Sequence, residues 1–413
     1  MSREELQAAL QALHHHPDGA VKKQASAWLE AWQQSLGAWS VSDAVLHDPG
    51  SGLEAQHFAA QTLRTKVQRD FEELPASAAG ALRDSLVELL LRAGSAPVRT
   101  QLCLALAALA AHMPPERWAP APGAVAWLVQ RLGAEPGPAA LPCLLELLTV
   151  LPQVHLFFFF ADVHACHAMR RTERGLLALT HFRTGGRQQS AAGHACMHAC
   201  VWRAERVYRA QCLKQEAGSY RPSVRPERRR QLAAELAAAT PAALQLLSSV
   251  LAQHPGVRQR VLLAFAEWLR MSDMSPADAG ALAAHSLTTA ALDGLSDPEA
   301  FEGAVDATVE LVYASSAGSA GEPDQAALPL VQRLVPAVLG LLPRFRACVR
   351  GAHAREGGGG EGGEVEDDDD EETAKGMARL FAEVGEAYTG LIASGTGHVI
   401  AVFLIKLDSK DRQ

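Results

Sequence analysis

"AQHFAAQTLRTKVQRDF", residues 55–71, sets Phe58, Ala59, Leu63, Val67 and Phe71 at intervals of three to four residues, with Gln61, Arg64 and Gln68 between them. That period matches one face of an α-helix, so one side packs and the opposite side, carrying Gln61, Arg64 and Gln68, faces outward. The flanking segments repeat the pattern. "LRDSLVELLLRA" (82–93) and "VRTQLCLALAALAAHM" (98–113) each show a packing side and a free side, and Pro97 sits near the start of the second, where a missing backbone N–H matters little. Together they are expected to form an antiparallel pair.

The same rhythm runs through residues 1–152. Apolar blocks alternate with short breaks at "HHPDG", "HDPGSG", "LPASAAG", "RAGSAP", "HMPPERW" and "GAEPGP". Helix pairs that share only the need to bury an apolar stripe against a neighbouring pair produce such a rhythm without close similarity between copies. Composition agrees: hydrophobic residues make up 48% and aromatics only 6%, with Ala and Leu dominant, which favours helix over strand. The expected class is all-α.

Charge and cysteine content narrow the function classes. A net charge of −8 argues against broad phosphate neutralisation, so direct nucleic-acid binding is not expected. Seven cysteines without framework spacing fit a reducing compartment. The opening "MSREELQAALQALHHH" reads as an amphipathic helix rather than a secretion signal. No run approaches about 18 consecutive apolar residues, so membrane insertion is not expected either.

Between residues 153 and 214 the character changes to a His-, Cys- and Arg-rich block that begins with four consecutive phenylalanines and lacks a helical period. His194, Cys196, His198 and Cys200, in "GHACMHAC", are the candidate metal ligands there, with His164, Cys166 and His167 upstream. The spacing argues against zinc, because the ligands are not in separated pairs that would pin two chain segments around one metal. Without HExxH, a phosphate-binding glycine loop or GxSxG, no enzyme and no cofactor are expected. Helical pairs resume over 215–354. Residues 355–372, with Asp367, Asp368, Asp369 and Asp370, read as a solvated acidic loop able to meet basic partners electrostatically. One helix follows at 373–395, and 396–413 form a divergent tail.

Residues 28–91, with "WLEAWQQSLGAWSVSDAVL", "HFAAQTLRTKVQRDFEELP" and "LRDSLVELLL", closely resemble the N-terminus of the transportin-SR and importin-13 branch of the importin-β (karyopherin) family. The likeness extends through "LPCLLELLTVLPQ", "YRPSVRPERRRQL", "VLLAFAEWLRM" and "ARLFAEVGEAYTGLI", and the block at 155–214 has no counterpart in the family pattern. The resemblance implies a right-handed HEAT-repeat α-solenoid of about seven helix pairs, whose second helices line the concave surface. It implies a nuclear transport receptor shuttling between nucleus and cytoplasm, here its N-terminal Ran-binding part. The implied partners are the GTP form of the Ran GTPase, nucleoporins and, for a full receptor, basic cargo such as arginine-serine-rich splicing factors. By position, Gln61, Arg64 and Gln68 would face Ran. Acidic residues along the concave side would give selectivity for basic targets. The competing expectation is a generic α-solenoid scaffold indifferent to Ran's nucleotide.

Overall fold

The computed structural model describes residues 2–75, 77–121, 123–133, 140–154, 224–272, 274–316, 325–348 and 364–388, with backbone only for 364–371. Among these residues every regular element is helical. The described residues fall into two compact units, 2–154 with 224–239, and 240–388.

The first unit opens with α1 (Arg3–His15), α2 (Gly19–Gln33), α3 (Gly37–His47) and α4 (Leu53–Arg69). It continues with α5 (Ala78–Arg92), α6 (Ala96–His112) and α7 (Ala124–Gly133), then α8 (Ala140–Val154). Local chemistry starts these helices. Ser2 and Glu5 form a reciprocal capping box on α1, and the Asp18 carboxylate accepts from the Ala20 amide at 2.8 Å on α2. α1 packs on α2, α3 on α4, and α5 on α6, as HEAT pairs require. The first pairs share a core of Leu6, Leu10, Leu29, Trp32, Val45 and Ala59, with Phe58 packed against Trp32 at a centroid distance of 5.9 Å. Each fully buried side chain of Leu or Phe size contributes about 1.5–3 kcal/mol.

The broadest helix contact in this unit joins α4 and α6, the second helices of consecutive pairs. Expected to keep one free side, α6 is instead buried all round over residues 105–111. Its five alanines there present no bulk, which lets neighbours close in from every direction.

The second unit contains the C-terminal half of α9 (Pro226–Gln253), α10 (Arg258–Met271), α11 (Pro276–Ala281), α12 (Ser286–Gly294), α13 (Phe301–Ser315), α14 (Leu328–Leu339), α15 (342–348) and α16 (Glu364–Ala387). At its centre is α13, packed on α10, α12, α14 and α16 and buried at nearly every position from Phe301 to Val312. Pro241 lies inside α9, where the two units divide.

Two expected boundaries differ, and one expected absence. Residues 153–154 complete α8 and belong to the regular repeats, and 155–223 lie outside the described residues. The acidic stretch expected as a loop over 355–372 enters α16 at Glu364, so Asp367–Asp370 are helical. Like charges four residues apart cost a helix only about 0.2–0.5 kcal/mol per pair, less than the burial of Met377, Leu380 and Val384 further along α16 contributes. Also, α9 and the segment Gln325–Cys348 reach the length and hydropathy of a membrane span, although no such segment was expected. Along α9 the buried residues Leu232, Leu236, Leu244 and Leu247 keep helical spacing on one side, the pattern of a helix packed within a repeat.

Candidate partner-binding face on the second helices

The exposed arc of α4 is narrower than its sequence suggests. Gln61 is exposed at its middle, with His57, Arg64 and Thr65 half-buried beside it. Gln68 departs from the expectation, being only 3% exposed. Its backbone is hydrogen-bonded to His112 at the end of α6, so that side of α4 is a packing surface. Only Gln61 and Arg64 remain accessible among the three residues expected there.

Side-chain hydrogen bonds tie each second helix to the next. Gln33 on α2 donates to Thr62 Oγ1 on α4 at 3.0 Å, Arg64 Nη1 donates to Gln101 Oε1 on α6 at 3.2 Å, and Thr100 Oγ1 donates to Glu146 Oε1 on α8 at 2.8 Å. The second unit repeats the arrangement with ion pairs: Arg270 on α10 reaches Glu310 on α13 at 2.9 Å, and Asp306 on α13 meets Arg379 on α16 at 2.6 Å. These ties fix the register of neighbouring pairs, which apolar alanine surfaces alone leave loosely specified.

Sequence periodicity gave no hint of the polar knot below α4. Lys66 is 1% exposed, yet its Nζ lies 2.5 Å from Glu73 Oε2 and 3.1 Å from Asp70 Oδ2. Trp39 on α3 donates its indole N–H to the same Glu73 oxygen at 3.0 Å and lies under Lys66 Nζ at 5.5 Å from the ring centroid. Burial works to raise the Glu73 pKa, but the hydrogen bonds from Lys66 and Trp39 outweigh it and hold the carboxyl below its ordinary range. The legible signal was the i,i+4 spacing of Lys66 and Asp70.

His112 stacks on Phe71 with ring centroids 4.7 Å apart. Burial pushes its pKa down to about 4, against a smaller opposing effect of the hydrogen bond to the Gln68 backbone. A base depressed in the fold binds more protons when unfolded, so stability from this group rises with pH between about 4 and the ordinary 6.5. Comparing urea unfolding at pH 7 and pH 4.5, His112→Phe should lose about 2–3 kcal/mol less than the unaltered protein. Equal losses would mean that His112 is not held neutral.

Among the described residues no three His, Cys, Asp or Glu side chains are arranged to hold a metal ion. The candidate ligands His194, Cys196, His198 and Cys200 lie outside the described residues. Buried Cys103 and Cys143 have thiols pushed up chiefly by burial, and the Cys143 thiol donates to the Leu90 carbonyl at 3.3 Å.

Residues 25–92, which hold most of α2 and all of α3 to α5, match the importin-β N-terminal domain, and residues 95–155 match the exportin 1-like protein family. The two matches together cover residues 25–92 and 95–155 of the first unit. Transportin MOS14 of Arabidopsis thaliana is 34% identical over 95% of this chain and 32% of its own length. Human importin-13 is 27% identical over 96% of this chain and 32% of its own length. The chain thus spans about a third of the length of the curated relatives it matches. A solved structure of Kap95p with RanGDP is 13% identical, with a TM-score of 0.32, covering 98% of this chain and 70% of that one. Both accessible residues of the candidate face, Gln61 and Arg64, lie within the segment that matches the importin-β N-terminal domain.

Proposed function

We propose that this chain is the Ran-binding N-terminal part of a nuclear transport receptor of the transportin-SR and importin-13 type, acting by reversible binding without chemistry. The observation that carries the reading is the importin-β N-terminal domain over residues 25–92, with Gln61 and Arg64 at the accessible centre of its second pair. On this reading α4 presents these two residues to GTP-loaded Ran. Basic cargo and nucleoporins would be partners of the complete receptor, which shuttles between nucleus and cytoplasm. Asp367–Asp370, at the start of α16, would meet basic partner surfaces with strong salt dependence.

The deciding experiment measures affinity for Ran loaded with GTP against Ran loaded with GDP at physiological salt. A strong preference for GTP is expected, and Gln61→Ala with Arg64→Ala should weaken GTP-form binding about tenfold, the scale of a modest interface contact. Equal affinity for both nucleotide states would favour a nucleotide-indifferent scaffold. Gln68→Ala serves as the contrast: a buried residue should affect stability and leave affinity unchanged.

A further inference from the structure

We infer that the first turn of α12 is an acid-sensitive joint of the second unit: His285 caps the helix only while its ring is uncharged, and protonation releases the turn that ties α12 to α9, α10 and α14. No residue of the proposed Ran-facing surface takes part, so the two readings are tested separately.

His285 is the residue that caps the N-terminus of α12, and its Nδ1 accepts from the Leu287 amide at 3.3 Å. Caps are usually Ser, Thr, Asp or Asn, whose oxygens accept at neutral and mildly acidic pH alike. An imidazole nitrogen accepts only when it carries no proton, so this bond places the ring hydrogen on Nε2 and requires the ring to be neutral. A proton added at Nδ1 turns the acceptor into a donor that faces another donor. It also sets a positive charge at the end of a helix that disfavours cations.

The surroundings offer that charge no partner. The ring lies nearly parallel to Phe265 of α10, with centroids 6.4 Å apart. Burial lowers its pKa below the ordinary value, and among the described residues no carboxylate stands close enough to raise it. Arg333 of α14 does reach this turn, donating from Nη1 to the Ala283 carbonyl and from Nη2 to Thr289 Oγ1 at 3.1 Å, but a guanidinium cannot accept from an imidazolium. Other charged groups on the elements packed around α12 are committed elsewhere. On α10, Arg258 pairs with Asp297, Arg270 pairs with Glu267 and with Glu310 of α13, and Arg260 is exposed. On α13, Asp306 pairs with Arg379 and Glu302 accepts from Gln259. Asp278 of α11 closes a capping box with Ser275, Asp293 is exposed near the far end of α12, and the half of α9 in this unit carries no charged residue.

The turn is also a junction. Ser286 Oγ donates to Ser248 Oγ on α9 at 2.9 Å, Thr289 holds Arg333 of α14, and Leu287 and Thr288 are fully buried. Opening the turn returns His285 to water and to its ordinary pKa of about 6.5, so the open form binds a proton more readily than the closed one. The cap is therefore fully effective above about pH 6.5 and is lost as the pH falls below it, by up to about tenfold in the opening equilibrium per pH unit.

The test measures hydrogen–deuterium exchange of the full chain by mass spectrometry at about pH 7.5 and about pH 5.5, corrected for the intrinsic pH dependence of exchange. Protection over residues 282–294 is expected to fall about five- to tenfold at the lower pH. Asparagine puts its Oδ1 where the ring holds Nδ1, so His285→Asn should keep the protection and abolish its pH dependence. Glutamine carries its oxygen one bond further out, so His285→Gln should be poorly protected at both pH values. Unchanged protection in the unaltered protein overturns the proposal, as does a fall that His285→Asn leaves intact. His285→Gln as well protected at the higher pH as the unaltered protein overturns it too, because the cap would then not hold the turn. An equal fall over residues 301–315 of α13 overturns it in favour of opening of the whole unit.

Discussion

Glu235→Leu is expected to destabilise the first unit by about 3–5 kcal/mol, because it strands a buried arginine. Arg228 and Glu235 are 8% and 13% exposed in their side chains, and Arg228 Nη1 lies 2.5 Å from Glu235 Oε1. Each member also holds a helix end. Arg228 Nη2 takes the Ala110 carbonyl near the last turn of α6, where carbonyls lack partners within the helix, and Glu235 Oε2 accepts from the Ala124 amide at the first residue of α7, at 3.4 Å. The pair therefore clamps α6 to α7 through α9, although Arg228 and Ala110 stand 118 residues apart in the chain. Removing Glu235 leaves a charged guanidinium in a low-dielectric site with one neutral acceptor. Removing both charges together leaves no such group, so Arg228→Met with Glu235→Leu should recover most of the loss. Five of the seven tryptophans lie in the first 154 residues, so intrinsic fluorescence during urea unfolding reports mainly on this unit. A double variant as unstable as Glu235→Leu alone would mean that the clamp acts by shape, not charge.

That clamp marks what sequence reading could and could not reach. Helix pairing was legible because burial at period 3.6 is a local property: α1 to α6 all lie in segments whose apolar spacing and breaks predicted them. The face of α4 was only partly legible. Gln61, Arg64 and Gln68 share a stripe on a helical wheel, but a second helix inside a stack touches its own partner and the second helices before and after it. That leaves an accessible arc too narrow for Gln68, which meets His112 of α6. Likewise "RPERRRQL" sets Arg228, Arg229 and Arg230 side by side, yet Arg228 is buried while Arg225 and Arg230 are exposed. Which arginine turns inward depends on the Ala110 carbonyl, a contact that no local pattern encodes. Repulsion among Asp367–Asp370 suggested a loop, but it competes with the apolar second half of α16, where Met377, Leu380 and Val384 are buried.

Opposite signs are expected from glycine-to-alanine changes in two helices of the second unit. In a helix interior alanine is favoured over glycine by about 0.8–1 kcal/mol, so any deviation measures the space around the new methyl group. At Gly385 on α16 nothing among the described residues lies within 4 Å of the added carbon, and Gly385→Ala should stabilise by about 0.5–1 kcal/mol. At Gly303 on α13 the carbon would stand 2.7 Å from the Gln259 carbonyl oxygen and 3.2 Å from Leu262 Cβ, both on α10. The obstacle there is backbone, which cannot rotate away, so α10 and α13 must separate along the broadest contact of this unit. Overpacking of about 1–3 kcal/mol exceeds the propensity gain, and Gly303→Val, with two more carbons, should lose about 3 kcal/mol or more. Gly376 on α16 tests the middle case. Its added carbon would meet Phe301 Cε1 at 2.7 Å, but a ring edge can tilt where a carbonyl cannot. Gly376→Ala should therefore fall between the other two in thermal midpoint. If Gly303→Ala were as stable as Gly385→Ala, the α10–α13 contact would have to be looser than these distances require, and the close approach at the centre of the second unit would not be set by Gly303.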